Sequence, residues 1–186
     1  DAIDAPWAPE HIEAALTGLG ALHAVWLGRE RELGTMPWLG PVHSAATMLE
    51  MTELWDALAH HSAQEFPELV SERDLEVRRR FLSTMAEWYP VLEAQPRTLI
   101  HNDFNPRNLA LRKAPEAPGG LRLCAYDWEL ATLGVPQHDL AEFLCFVLGP
   151  RTTREEVDRW VELHRQALES ASGRTLDPVA WREGYK

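Results

Sequence analysis

The sequence predicts an α+β fold, a mainly helical body with one small β element in its middle, and three observations carry this. Apolar residues recur at helical spacing over both flanks of the chain, a stretch near residues 98–126 changes to short β-type apolar runs, and Gly and Pro gather mainly in the connections. The 186 residues suit one domain of ordinary size or one lobe of a larger protein. A composition of 45% hydrophobic and 25% charged residues is that of a globular chain and excludes a disordered or disulfide-stapled scaffold.

Residues 9–28 place Ile12, Leu16, Leu19, His23 and Trp26 on one helical face. A loop punctuated by Gly34, Pro37, Gly40 and Pro41 precedes a second helix, opened by Ser44 and carrying Met48, Met51, Trp55 and Leu58 to about His61. Ser71 and Asp74 have capping-box spacing and start a third helix through Leu75, Phe81, Leu82, Met85 and Trp88, bounded by Pro90 and Pro96. Their periodicity assigns the Trp and Met stripes of these helices to the core. Strands are expected at 98–100, 108–112 and 121–126. Residues 139–148 return to helix, closed by Gly149 and Pro150. Thr152 and Glu155 cap a helix through Val157, Trp160, Val161, His164 and Leu168, and Asp177 with Pro178 starts another. With Asp1 at the head and no stop signal after Pro178, the expectation is one domain over 1–186, truncated at both ends.

The 29 acidic against 18 basic residues give a formal charge of −11, which argues against a nucleic-acid partner and suits a cationic small molecule. The one basic run, Arg78, Arg79 and Arg80, lies in a helical pattern and reads as a solvated face. Cys124 and Cys145 lie in apolar runs without metal-ligand spacing and read as buried thiols of a reducing compartment, so a cytoplasmic location is expected. The longest apolar run, 143–148, is far too short to span a bilayer, and no membrane association is expected.

The polar residues concentrate in the loops of the β region. His101, Asn102, Asp103, Phe104, Asn105, Pro106, Arg107 and Asn108 follow the first strand, and Asp127, Trp128 and Glu129 follow the third. Pro106 keeps the first loop from winding as a regular helix, so Asp103 and Asn108 can face one space. Two carboxylates and an amide oxygen at the ends of apolar strands suit a hard divalent cation, and Mg²⁺ takes one or two such ligands together with phosphate oxygens. Asn, Asp and Pro also gather in turns for backbone reasons alone, and Asp127 could simply cap its strand.

This pattern, H-x-D-x-x-x-x-N, an apolar strand and D-W-E, resembles the aminoglycoside phosphotransferase and choline kinase group of small-molecule kinases. Leu22-His23-Ala24 is similar to the opening helix of that family's C-terminal lobe, and Asp139-Leu140-Ala141 to its D-L-A helix start. The resemblance covers roughly residues 9–148. It implies a protein-kinase-like fold and an ATP- and Mg²⁺-dependent transfer of phosphate to a hydroxyl of an aminoglycoside, choline-like amine, amino alcohol or sugar. By motif position, Asp103 would be the catalytic carboxylate, Asn108 and Asp127 the metal ligands, and His101 and Asp139 supports of the catalytic loop. Glu129 is a further candidate near the metal, and His23 reads as a satisfied core histidine.

Many family members carry Gly where this chain has Asn102 and Arg107, whereas the choline and ethanolamine kinase branch shares H-N-D. The family's phosphate loop and ATP-anchoring lysine have no counterpart. The two lysines, Lys113 and Lys186, both follow the catalytic loop, and Gly18-Leu19-Gly20 lies in a helical pattern. The N-terminal nucleotide lobe is therefore expected from a missing N-terminal segment or from another chain, with the isolated 186 residues nearly inactive. Two other readings remain beside this one. The chain could be a non-catalytic, pseudokinase-like lobe that binds a small molecule or a partner. Alternatively, His138 and Asp139 could form an HD-type metal phosphohydrolase site with His60 or His61 upstream and Asp158 or Asp177 downstream.

Overall fold

The structure is a computed structural model and describes residues 7–42 and 44–185, so Asp1 and Lys186 lie outside it. In chain order the helices and strands are α1 (Pro9–Ala24), α2 (Glu30–Leu33), α3 (Ala45–Glu50), α4 (Thr52–Glu65), α5 (Glu72–Ser83), α6 (Met85–Glu93) and β1 (Thr98–Ile100). They continue as β2 (Leu109–Lys113), β3 (Leu121–Ala125), β4 (Thr132–Gly134), α7 (Pro136–Val147), α8 (Arg154–Ser172) and α9 (Pro178–Tyr185). No helix among the described residues is long and apolar enough to cross a membrane. Two compact units result, one formed by residues 1–42 and 96–186, the other by residues 43–95.

In the first unit α1 begins with Pro9 at its first position and buries Ile12, Ala15, Leu16, Leu19, Gly20 and His23, a spacing that turns one stripe inward. Facing it, α8 starts at a capping box of Thr153 and Glu156 and ends at Gly173, whose φ of 68° is the left-handed C-cap glycine tolerates. The sequence holds two overlapping Thr-x-x-Glu frames, and the one starting at Thr153 is used rather than Thr152 with Glu155. Asp177 caps α9 by accepting from the Ala180 N–H at 2.7 Å. Leu16, Leu19, Phe104, Leu140, Phe143, Val161 and Leu168 form the core where α1, α7 and α8 meet.

The β region contains four strands rather than three, in two separate antiparallel pairs. β1 pairs with β4 in the register Leu99 to Leu133, and β2 pairs with β3 from Leu109 opposite Ala125 to Lys113 opposite Leu121. β4 is three residues long, too short to produce an alternation legible in sequence. Asn108, expected in the second strand, closes a short 3₁₀ turn at Pro106–Asn108 instead.

The second unit consists of α3 to α6. The expected second helix breaks at Met51 and the third at Thr84, where the Trp88 indole and the Thr84 hydroxyl take carbonyls of the last turn of α5. Pro90 lies inside α6 instead of ending it, and its carbonyl accepts from the Ala94 N–H at 3.1 Å. The core assignment of the apolar stripes holds only in part. Ala59, Leu75, Leu82 and Met85 are buried, Met48, Trp55 and Trp88 are half-buried, and Met51, Leu58 and Phe81 are exposed. So few short helices have too little interior to cover every apolar face. Cys124 is half-buried and Cys145 is exposed, contrary to the expectation that both thiols are buried.

Helices α1 and α8 approach closely at Gly20, where a Cβ would stand 2.8 Å from the Ala167 Cβ and 2.8 Å from the Leu168 backbone nitrogen. Gly20→Val should therefore destabilise the protein by about 1–3 kcal/mol through overpacking, measured as a lowered urea midpoint at unchanged m-value.

Candidate active site

β1 delivers the chain into residues 101–105, and β4, its partner, leads into the first turn of α7, so the loop and that helix start from one small sheet. The Asp139 carboxylate there is fully buried and accepts three hydrogen bonds: from His101 N–H at 2.7 Å, from Asn102 N–H at 2.9 Å and from His23 Nε2 at 3.0 Å. Its position near the N-terminus of α7 also favours negative charge. Burial alone would raise this carboxyl, but the His23 interaction and the two loop amides outweigh it and hold the group below the usual carboxylate range. One turn further along α7, Glu142 accepts the Phe104 N–H at 2.8 Å. Burial pushes the Glu142 carboxyl up, against the lowering effect of that amide.

Between these anchors the loop turns sharply. Asn102 sits at φ 63°, a left-handed conformation that asparagine tolerates, and its amide nitrogen donates to the Leu130 carbonyl at 3.1 Å. Phe104 is completely buried and meets Phe143 edge to face with ring centroids 5.7 Å apart. With residues on both sides fixed, Asp103 is held between two amides. Asn105 Nδ2 donates to its Oδ1 at 2.6 Å, and Asn108 Nδ2 donates to its Oδ2 at 2.6 Å and to its backbone carbonyl at 3.0 Å. The Asn105 Oδ1 in turn accepts from the Arg107 N–H at 3.0 Å, an Asx turn that starts the 3₁₀ segment at Pro106.

The exit of β3 is laced to the same loop. Tyr126 donates its N–H to the Asn108 carbonyl at 3.1 Å and its hydroxyl to the Arg107 carbonyl at 2.6 Å. His101 Nε2 donates to the Tyr126 carbonyl at 2.9 Å, and its ring lies 4.5 Å from that of Trp128. Asp127 follows immediately, at φ 65°. The structure thus joins Asp103 and Asn108 directly and brings the backbone that carries Asp127 against Asn108, with His101 linking the two segments. The exposed side chains of Asp127 and Glu129 make no hydrogen bond or ion pair among the described residues, and Glu129 is not tied to the loop.

Two residues of this arrangement escape sequence reasoning. Asn105, 2% exposed, reads as a turn residue before proline, although its position two residues after Asp103 is the spacing that lets its amide reach back. Glu142 has no sequence signal beyond lying one turn after Asp139. The HD reading finds its downstream residues engaged elsewhere, Asp158 with Arg182 and Asp177 at the α9 cap. Among the described residues the cluster able to offer three metal-binding side chains is His138, Asp139 and Glu142, in which Asp139 already satisfies three donors.

A buried aspartate thus braces the H-x-D-x-x-x-x-N loop, and Asp127 lies two residues beyond the end of β3. The model of the phosphotransferase enzyme family (APH) matches residues 2–181, and the chain belongs to that family. Neither the curated proteins nor the solved structures compared with it match the chain. The family has a protein-kinase-like fold, consistent with the helix-rich body and its small sheets.

Asp139→Asn should cost about 3–5 kcal/mol at pH 7, because an amide cannot accept from three donors and turns its own N–H groups towards some of them. The folded-state pKa of Asp139 is depressed, so its contribution is present above the unfolded carboxylate value and is lost as pH falls through the folded one. The difference between wild type and variant in urea denaturation should therefore shrink below about pH 4.

Proposed function

We propose that this chain is the catalytic, C-terminal-lobe portion of an ATP-dependent phosphotransferase that phosphorylates a hydroxyl of a small molecule. The observation that carries the reading is the double-amide clamp on Asp103, with the free carboxylate of Asp127 two residues beyond the end of β3. Asp103 accepts from both amides as a carboxylate, and each of its oxygens keeps a lone pair for a substrate hydroxyl.

The donor set fits Mg²⁺. Asn108 spends its amide nitrogen on Asp103, which leaves its carbonyl oxygen as an acceptor, and the Asp127 carboxylate is uncommitted. These hard oxygen ligands are the type Mg²⁺ takes beside phosphate oxygens. The ion would supply neutralisation of charge on the β- and γ-phosphates.

In the transfer, Asp103 orients the acceptor hydroxyl and takes its proton as the oxygen attacks the γ-phosphorus. The bond from that phosphorus to the β,γ-bridging oxygen breaks, giving a phosphate monoester and ADP. His101 and Asp139 keep the loop in register for this step, and Glu129 lies near enough in sequence to Asp127 to assist the metal. The acceptor is a small molecule, and the net charge of −11 favours a cationic one such as an amino sugar or amino alcohol. Both lysines follow the catalytic loop, which supports a nucleotide-clamping lobe supplied by preceding sequence or by another chain. The free cysteines suit a cytoplasmic location.

The test is phosphate transfer from γ-labelled ATP to a panel of amino alcohols, amino sugars and sugars, by the protein together with its nucleotide lobe. Asp103→Ala should lower kcat by about 10²–10⁴. Asp127→Ala should abolish Mg²⁺-dependent turnover and weaken Mn²⁺ binding measured by electron paramagnetic resonance. Full transfer by Asp103→Ala would overturn the assignment, and substrate binding without turnover in the wild type would favour the non-catalytic reading.

A further inference from the structure

The histidine that holds Asp139 is itself held. His23 Nδ1 lies 3.2 Å from His164 Nε2, its Nε2 lies 3.0 Å from Asp139 Oδ2, and all three side chains are fully buried. The Nδ1 atom of His164 is buried without a partner among the described residues, and so is the Nε1–H of Trp181, whose ring lies 5.6 Å from that of His164. Helices α1, α7, α8 and α9 each contribute one of these residues.

Hydrogen-bond bookkeeping gives this chain a direction. Asp139, as a carboxylate, only accepts, so His23 must carry its proton on Nε2. With one proton per imidazole, His23 Nδ1 is an acceptor, and the facing atom, His164 Nε2, must be the donor. His164 Nδ1 is then a lone pair, whereas an Nδ1–H would add a second unpartnered buried donor to the Trp181 indole N–H.

We infer that His164 is a positioning residue for the catalytic loop, fixing the tautomer of His23 so that His23 donates to Asp139 while Asp139 holds the His101 and Asn102 amides. Burial supports a neutral ring, since it holds the His164 imidazole well below its usual range. Among the described residues His164 alone is hydrogen-bonded to His23 Nδ1, so without it the atom is a buried acceptor with no partner, and a proton moved onto it from Nε2 would leave Asp139 one donor short. The relay stands on hydrogen bonds alone, and only its consequence for turnover rests on the phosphotransfer reading.

The experiment is long-range ¹H–¹⁵N correlation of the histidine side chains in the ¹⁵N-labelled full chain at neutral pH, with hydrogen exchange of the His101 and Asn102 amides. In the wild type both His23 and His164 should show the Nε2–H pattern. His164→Leu should change the His23 pattern and speed exchange of the two loop amides at least tenfold. His164→Gln, whose amide nitrogen can donate to His23 Nδ1, should restore both. A wild-type His164 protonated on Nδ1 or on both nitrogens would overturn the inference, as would a Leu variant with unchanged His23 and loop amides. A Gln variant as perturbed as the Leu variant would also overturn it, since a packing role alone would then suffice. Should the Leu variant not fold, the wild-type tautomers and the Gln variant decide. Asp103→Asn should leave the histidine pattern untouched, which separates this result from the fate of the phosphotransfer assignment.

Discussion

A single buried carboxylate holds the site together. Asp139 takes the consecutive His101 and Asn102 N–H groups of the loop and one imidazole, and the His101 amide and the His23 ring would be unsatisfied buried donors without it. The two amides belong to the residues just before Asp103, one of them in a left-handed conformation, so the loop cannot relax to a commoner backbone without breaking the Asn102 bond. The helix that carries Asp139 also carries Glu142, which takes the next available N–H on the other side of Asp103. One helix face therefore fixes the backbone on both sides of a residue whose own side chain stays open to the solvent side of the loop.

The same economy governs the side chains around Asp103. Asn108 divides its two ends, spending its nitrogen on Asp103 and keeping its side-chain oxygen as an acceptor. Asn105 contributes the second amide nitrogen while its Oδ1 starts the turn that places Asn108. Orientation at this site depends on short-range contacts within eight consecutive residues, and the remainder of the fold supplies the platform on which they sit.

Much of this was legible in sequence, for identifiable reasons. The H-x-D-x-x-x-x-N spacing and the aspartate after an apolar strand are local features, and helices such as α1, α8 and α9 announce themselves by periodicity and caps. What was not legible is non-local or short. β4 is three residues long, and its pairing with β1 joins positions more than thirty residues apart. Glu142 and His164 look like ordinary positions on amphipathic helices, because their partners are a backbone amide and a ring on distant elements. The helices of residues 43–95 show the reverse failure. Their apolar spacing is helical, as read, but periodicity reports a face and does not report whether anything covers it.

The pairing of α1 with α8 brings Gly20 against Ala167 and Leu168, so the support beneath the brace joins helices more than a hundred residues apart in the chain. During synthesis the His23, His101 and Asp139 segments emerge well before the helix that packs over His23. At about 5–20 residues per second, α1 waits about 7–30 seconds for its partner, with an apolar stripe still uncovered. Such long sequence separation also slows the search for the native contact in the finished chain. The loop that looks most local in the sequence is therefore among the last parts of this unit to acquire its support.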